Sequence, residues 1–276
     1  MDERLSLNQI TTKAWSLPEA VAGCAEAGVG WIGLWRDKVA ETGVDEAARL
    51  LKEHGVRVSS LCRGGFFTGV TPEGSPVDGV ARTREAIDEA AALGAGVLVL
   101  VVGGVAGNDL KASRQRVADA VGELAPYAGE RGVRLGLEPL HPMQCADRSV
   151  LSTVDQALAI AVEHPAEQVG VIVDEFHVWW DPRIEESIAA AAGRIAGFHV
   201  CDVLVPLPDP LLGRALPGDG PIDHRHLRAR VEAAGYTGPI EVEVFNAGLW
   251  ARPGAEVLAE TIVAFERHVA RGSGRR

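Results

Sequence analysis

The stretch VIVDEFHVWW, residues 171–180, begins as a buried strand and ends in ionisable and aromatic side chains. Val171, Ile172 and Val173 are apolar and β-branched, which favours a strand buried on both faces. Asp174 and His177 follow at once, three positions apart. A core strand therefore places a carboxylate and an imidazole at its carboxyl end. The next question is whether other strands of the chain end in the same way.

The same alternation of a short apolar strand with a longer helix runs along the whole chain. We predict strands at about 4–8, 31–35, 57–61, 97–102, 134–138, 169–174, 195–200 and 240–245, each followed by a helix. Repeated strand–helix units indicate a parallel α/β sheet, and eight of them close a (β/α)8 TIM barrel. An open doubly wound sheet would carry a glycine-rich turn after its first strand, where this chain reads NQITTKAW. We predict one barrel domain over residues 1–276, with 272–276 as a flexible tail.

Composition and charge exclude several classes of partner. The chain has 27 basic and 38 acidic residues, a net charge of −11, which disfavours nucleic acid as a partner. Its apolar runs are shorter than the roughly 20 residues of a membrane span, and MDERLSLNQI is charged where a signal peptide is apolar. The four cysteines form no CxxC pair. We therefore expect a cytoplasmic protein. The sequence leaves open whether it forms a homo-oligomer or has an accessory subunit.

Four consecutive predicted strands end in side chains that bind metals. These are Glu138, Asp174, His199 and Glu243. Each alone would be an ordinary solvated or hydrogen-bonded residue, but buried carboxylates need partners, and the stretches 134–147 and 169–182 contain only Arg134 as a strong base. A divalent cation would neutralise the cluster, and such ligands favour Mn²⁺, Mg²⁺, Co²⁺ or Fe²⁺, with Zn²⁺ possible. Glu241 lies deeper in its strand, as a structural partner, and Asp202 is a candidate to orient His199.

The motifs that carry these residues resemble a known family. LEPLHP, VDEFHVWWDP, GFHVCD, PGDGPID and IEVEVFN are similar to the sugar-phosphate isomerase/epimerase family of xylose-isomerase-like TIM barrels, and closest in pattern to 2-keto-myo-inositol isomerase-like proteins. The resemblance implies one divalent metal ion, Mn²⁺ foremost, bound by the four strand-end residues. It also implies that Glu138 and Glu243 exchange a substrate proton and that His177 contacts the substrate. The family's epimerases carry a Glu and an Arg where this chain has Gln144 and Val205, and Arg214 is a candidate substitute for that arginine.

The substrate is predicted to be a small unphosphorylated carbohydrate. The loop NAGLWARPG after the last strand lacks the glycine-rich phosphate site common in TIM barrels. Aromatic and basic side chains near the strand exits suit a sugar ring. The candidate substrate-binding residues are His141, Arg214, Trp15, Trp35 and Arg63.

Four kinds of function remain to be compared. We expect a metal-dependent isomerase or epimerase that transfers a proton next to the carbonyl of a keto-sugar or inosose. A lyase that cleaves 3-keto-glycosides by β-elimination would begin with the same proton abstraction. An endonuclease IV-like repair enzyme is disfavoured because the rims of strands two to four read LWRD, LCRG and VVGG, without histidine. The intact set of four ligands argues against a non-enzymatic barrel.

Overall fold

The computed structural model describes residues 1–270, so the predicted tail at 272–276 lies outside the described part. The strands are β1 (Leu5–Asn8), β2 (Trp31–Trp35), β3 (Arg57–Gly65), β4 (Val97–Val101), β5 (Arg134–Leu137), β6 (Val169–Asp174), β7 (Ile195–Val200), β8 (Asp202–Val203), β9 (Arg214–Ala215) and β10 (Ile240–Val242). Eight of them close a barrel in the order β1-β10-β7-β6-β5-β4-β3-β2, with β8 and β9 as a separate antiparallel pair. All neighbours in the barrel are parallel, which confirms the predicted TIM barrel.

Helices occupy the connections between the barrel strands. They are α1 (Leu17–Ala27), α2 (Arg36–Thr42), α3 (Val44–His54), α4 (Gly79–Leu93), α5 (Leu110–Glu130), α6 (Val154–Ala161), α7 (Glu175–Val178), α8 (Ile184–Ala190), α9 (His224–Ala233), α10 (Ala247–Trp250) and α11 (Gly254–His268). Short 3₁₀ turns cover Gln9–Thr12 and Pro142–Gln144. Within residues 1–270, none of these helices combines the length and the apolarity that crossing a bilayer requires.

Local sequence signals explain where helices begin and end. Ser16 caps α1 in a capping box with Glu19, and Gly28 ends that helix with a φ of +74°. Asp174 caps α7, because its Oδ1 accepts a hydrogen bond of 2.8 Å from the backbone N–H of Phe176. The carboxylate that ends β6 is thus held in place by the helix that follows it.

The core has two layers, one between the barrel and its helices and one inside the barrel. The inner cluster consists of Cys62, Val99, Ile172 and Ala196. Ile172 and Asp174 share a face of β6 because side chains alternate along a strand. The apolar cluster therefore fills part of the barrel interior below the rim at which Asp174 lies.

The observed elements differ from the predicted ones mainly at the strand ends. Glu138 and Glu243 lie just beyond β5 and β10, although their backbone N–H groups still donate to Leu100 and Val200, each at 3.2 Å. β3 continues to Gly65 because Gly64 and Gly65 still pair with β4, which places Arg63 within the strand and not beyond it. The helices α2, α7 and α10 and the β8–β9 pair were not predicted.

Candidate metal centre and active site

The four predicted metal ligands meet at the carboxyl end of the barrel. Their strands are neighbours in the order β5, β6, β7 and β10, and the register aligns Asp174 with His199 and His199 with Glu241. One ligand atom from each residue lies within 4.8 Å of the others, and all four side chains are buried. These residues are Glu138, Asp174, His199 and Glu243.

His199 provides a direct test of whether a metal fits this cluster. Its Nδ1 lies 3.5 Å from Glu138 Oε1 and 3.8 Å from Glu243 Oε2, and it has no hydrogen-bond partner among the described residues. A buried ring nitrogen without a partner is costly unless something else binds it. Three carboxylates around an imidazole nitrogen form a donor set typical of divalent transition metals. The cluster therefore fits a single divalent cation.

Arg214 reaches the same cluster from β9. Its Nη1 donates to Asp174 Oδ2 at 2.9 Å and to Glu243 Oε2 at 3.0 Å, and its guanidinium packs against the rings of Phe176 and Phe245. The side chain is buried, and burial would lower its pKa, but the charges of the surrounding carboxylates raise that pKa above its ordinary value. Arg214 thus supplies a permanent positive charge next to two of the predicted metal ligands.

His177 is surrounded by hydrogen-bond donors on both sides. Its Nδ1 accepts from the backbone N–H of His141 at 3.1 Å, and its Nε2 lies 3.0 Å from Arg214 Nη2. Burial, together with the charge of Arg214, lowers the pKa of His177 to about 3, so the ring is neutral. A neutral imidazole that accepts at Nδ1 carries its hydrogen on Nε2. Nε2–H and Arg214 Nη2–H are then two converging donors, and the carboxylate oxygen beside Nε2, Asp174 Oδ2, lies 3.7 Å away, beyond hydrogen-bond distance.

The two glutamates of the cluster have opposite pKa shifts. Burial, with the negative charges of Glu243 and Asp174, raises the pKa of Glu138 to about 7. Burial acts in the same direction on Glu243, but the nearby His199 side chain and the charge of Arg214 outweigh burial and lower its pKa to about 2. Two carboxyl groups whose environments separate their pKa values are an arrangement suited to acid–base chemistry.

Comparison with known proteins agrees with this geometry. A family model described as xylose isomerase-like TIM barrel matches residues 21–262. The chain belongs to that family. A crystal structure of a protein from Sinorhizobium meliloti 1021 superposes with a TM-score of 0.91 and 40% identity, covering 98% of this chain and 99% of that one. The family predicted from the motifs is thus confirmed.

Two curated proteins to which the chain is similar are enzymes. The chain is 33% identical over 165 residues to a 3-dehydroshikimate dehydratase of Pseudomonas putida, a match to 56% of this chain and 24% of that protein. The match therefore spans only about a quarter of the dehydratase. The chain is also 26% identical over 244 residues to an L-ribulose 3-epimerase of Methylomonas sp., covering 83% of this chain and 78% of the epimerase.

In this xylose isomerase-like barrel, three polar residues that sequence reasoning missed support the metal centre. They are Asn8, Ser59 and Ser60. Glu241 accepts hydrogen bonds from Asn8 Nδ2 at 2.6 Å, from Ser59 at 2.6 Å and from Ser60. Asn8 Nδ2 also donates to Glu243 Oε1 at 3.1 Å. A Cβ at Gly33 would lie 2.0 Å from Glu241 Oε1, so only glycine fits there. The predicted structural role of Glu241 agrees with these contacts, and Asn8, as the last residue of β1, follows the same strand-end pattern.

Asp202 has a different partner from the one considered in the sequence. His224 lies between two buried carboxylates, with Nδ1 2.5 Å from Glu175 Oε2 and Nε2 3.1 Å from Asp202 Oδ2. Asp202 also accepts from the backbone of Gly218 and Ile222. The suggestion that Asp202 orients His199 was wrong, because the Asp202 oxygens bind His224 and two backbone N–H groups, and the carboxylate beside His199 Nε2 is that of Glu241, at 3.9 Å. Asp202 instead fixes the segment that carries Arg214.

The remaining predicted site residues lie at different distances from the cluster. Trp35 Nε1 donates to Asn8 Oδ1 at 2.8 Å, and Trp35 and Arg63 line a cavity next to the cluster. His141 packs edge-on against Trp180. Trp15 lies in the helix layer, where a Cβ at Gly23 or Gly254 would meet its ring. The structure therefore brings Arg214, His177, Trp35 and Arg63 to the barrel mouth, and Trp15 lies away from it.

Proposed function

We propose that the protein is a divalent-metal-dependent isomerase or epimerase that transfers a proton next to the carbonyl of an unphosphorylated keto-sugar or inosose. The observation that carries the proposal is the buried cluster of three carboxylates around the unpartnered Nδ1 of His199. Membership of the xylose isomerase-like family and the match to an L-ribulose 3-epimerase support a carbohydrate substrate.

Glu138, Asp174, His199 and Glu243 are the residues that would hold the cation. A bound divalent cation supplies Lewis-acid polarisation of a substrate carbonyl, which acidifies the neighbouring C–H bond. We propose one cation per chain, with Mn²⁺ foremost among Mg²⁺, Co²⁺, Fe²⁺ and Zn²⁺.

Glu138 and Glu243 are the proposed acid–base pair. Their strands, β5 and β10, lie on either side of β6 and β7, so the two carboxyl groups approach the cluster from opposite sides. One glutamate takes the proton, the C–H electron pair moves into the C–C bond, and the carbonyl oxygen gains the negative charge. Return of a proton to the opposite face of the same carbon gives the epimer. If the hydroxyl group on that carbon gives its proton to the charged oxygen, return of the carbon-bound proton to the former carbonyl carbon gives the isomer.

His177 and Arg214 are proposed to bind the oxygen that gains charge. Their Nε2–H and Nη2–H groups converge with a nitrogen–nitrogen distance of 3.0 Å, and a substrate oxygen in front of both would accept from each. Donors fixed before the reaction stabilise developing charge without reorganisation. The hydrogen bond from the His141 backbone holds the His177 ring in the required tautomer.

The test is exchange of substrate hydrogen with solvent. The metal-loaded protein is incubated in D₂O with a panel of ketoses, inososes and 3-keto-glycosides, and deuterium at carbon is followed by NMR and mass spectrometry. Deuterium should enter the product, and Glu138→Gln and Glu243→Gln should each slow turnover by about 10²–10⁴-fold. Glu53→Gln, on the exposed face of α3, is the control and should be unchanged. A product free of solvent deuterium would indicate a hydride shift and contradict the proposal.

A metal-dependent lyase is the second candidate, favoured by the match to a 3-dehydroshikimate dehydratase. Proton abstraction would be the same, but the electron pair would expel a β-substituent, which leaves with a proton donated by a carboxylic acid. The cavity beside the cluster, with Trp35 and Phe66 in its wall, offers space for a leaving group. Release of that group with a new α,β-unsaturated carbonyl absorbance distinguishes elimination from isomerisation.

Counting bound metal separates both candidates from DNA repair. Elemental analysis of the purified protein should give one divalent ion per chain, and Asp174→Ala or His199→Ala should lose it. Two or three tightly bound ions per chain would instead favour an endonuclease IV-like enzyme.

A further inference from the structure

A cavity of about 380 Å³ opens beside the metal cluster at the ends of β2 and β3. Such a volume is typical of small-molecule sites. Cys62 and Trp35 connect it to the cluster. Cys62 packs inside the barrel against the cluster of apolar residues that includes Ile172, two positions before Asp174. Trp35 reaches Glu243 through Asn8. The cavity therefore shares its wall with residues that support the cluster.

Arg63 lies in the wall of this cavity without a charged partner. Its guanidinium packs 4.9 Å from the ring of Phe66 and 5.7 Å from that of Trp35, and it forms no ion pair or hydrogen bond within residues 1–270. Burial lowers the pKa of Arg63, yet an arginine remains charged at neutral pH. The charges of Glu73 and Glu138 act on Arg63 from beyond ion-pair distance, so they offset only part of the cost of desolvating this cation.

A neighbouring arginine in the cavity wall differs from Arg63 because it has a carboxylate partner. Arg36, in the same wall, donates to both carboxylate oxygens of Glu89 at 2.6 and 2.7 Å. Arg148 lies close enough to lower the pKa of Arg63 by repulsion, and its own ion pair with Asp147 spans 4.0 Å. An anion beside Arg63 would relieve the repulsion between the two arginines as well as neutralise Arg63.

We propose that Arg63 binds a carboxylate of the substrate, so that the protein acts on an acidic keto-polyol. The proposal rests on the proposed function and narrows its substrate class. A planar guanidinium matches a carboxylate with two parallel hydrogen bonds, and its aromatic neighbours hold it flat. The carboxylate would lie in the cavity while the reacting carbonyl lies at the cluster.

The backbone around the cavity favours a carboxylate over a phosphate. Phosphate sites in proteins use free backbone N–H groups and the N-terminus of a helix. Here Gly65 N–H donates to Thr83 Oγ1 and Phe66 N–H donates to the carbonyl of Val101. The N-terminus of α4 is already capped by the carboxylate of Asp78, which accepts from Ala81 N–H. A monoanion that needs one guanidinium fits this site better than a phosphate dianion.

The experiment compares two inert ring polyols, the carboxylate quinate and the neutral myo-inositol, by calorimetry on chelated and on metal-loaded protein. We expect quinate to bind both forms more tightly than myo-inositol. Arg63→Gln should weaken quinate at least tenfold in the chelated protein and leave myo-inositol unchanged. Arg63→Lys, which keeps the charge but loses the paired donors, should fall between. Arg84→Gln, which removes an exposed arginine of α4 paired with Glu123, is the control and should match the wild type.

Equal binding of quinate and myo-inositol by the wild type would overturn the proposal, as would equal weakening of both in Arg63→Gln. Inorganic phosphate bound more tightly than quinate, and lost in the same variant, would replace the carboxylate by a phosphate. The binding assay needs no turnover. Arg63-dependent quinate binding without deuterium exchange into any acidic keto-polyol would leave the anion site standing and refute the proposed reaction.

Discussion

Replacement of Arg214 by methionine should tighten metal binding while it destabilises the chelated protein. Arg214 Nη1 donates to Asp174 Oδ2 and Glu243 Oε2, both buried. Methionine has a similar length and is apolar, so Arg214→Met removes the charge and leaves these two carboxylates without their donor. Breaking a buried pair in this way costs about 3–5 kcal/mol. The free energy of unfolding of the chelated variant should fall by that amount.

The same change removes a positive charge next to the proposed cation. Two unit charges about 4 Å apart interact by about 4 kcal/mol at an effective dielectric constant of 20. Even a third of that energy corresponds to a tenfold change in an equilibrium constant. The affinity of Arg214→Met for Mn²⁺ should therefore rise at least tenfold, and saturating metal should recover most of the lost stability. Turnover should nevertheless fall, because the donor to the substrate oxygen is gone.

Urea unfolding with and without Mn²⁺, together with competition against a fluorescent chelator, measures both effects. Arg228→Met is the matched control, because Arg228 is also buried and pairs with Asp2 and Glu232, away from the cluster. It should lower stability without changing metal affinity. Unchanged or weaker Mn²⁺ binding by Arg214→Met would refute the view that Arg214 and the cation neutralise the same carboxylates.

Three further predictions follow from pKa shifts and contacts. Burial raises the pKa of Glu138 to about 7, and the charges of Glu241 and its neighbours raise the pKa of His199 against the effect of burial. A metal that binds these two side chains must therefore displace protons. Mn²⁺ affinity should fall below pH 7 by about tenfold per pH unit for each proton displaced. Calorimetry at pH 6 that detects no proton release on Mn²⁺ binding would contradict this. His177→Ala should keep its metal by elemental analysis but lose most activity; loss of the metal would make His177 a ligand. The charges around His224 outweigh burial and raise its pKa from 6.5 to about 10, so its stabilising effect is complete below pH 6.5 and lost towards pH 10. Wild-type unfolding free energy should decline across that range and His224→Gln should flatten the decline; parallel profiles would refute the assignment.

The barrel and the metal cluster could be predicted because both follow from local patterns. Strand length and alternation identify each strand, and parallel strands bring their carboxyl ends to the same rim. Asp174 and His199 were therefore predicted to lie together from their positions at the ends of successive strands, and they are aligned in the observed register. Glu243 was separated from Glu241 by depth alone, and the hydrogen bonds of Ser59 and Ser60 to Glu241 agree with that distinction.

Contacts made by loops could not be predicted in the same way. Arg214 reaches Asp174 across 40 positions of sequence, and its direction depends on the β8–β9 pair and on Asp202, which no spacing rule specifies. His224 appears in the sequence only as one more helical residue. Trp15 follows the first strand, but the 3₁₀ turn Gln9–Thr12 directs the chain outward before Trp15 is reached. Proximity to a strand end is informative only when no such turn intervenes.

The two halves of the barrel mouth carry different kinds of side chain. The β5–β10 half holds the carboxylates of the cluster with Arg214, a set in which each charge depends on the others. The β2–β3 half holds Arg63, which depends on no other charged side chain within 4 Å among the residues described. A substitution in the first half therefore changes metal affinity, stability and proton transfer together. A substitution at Arg63 should change which molecule binds and leave proton transfer intact, so substrate range can vary on this barrel without rebuilding its acid–base chemistry.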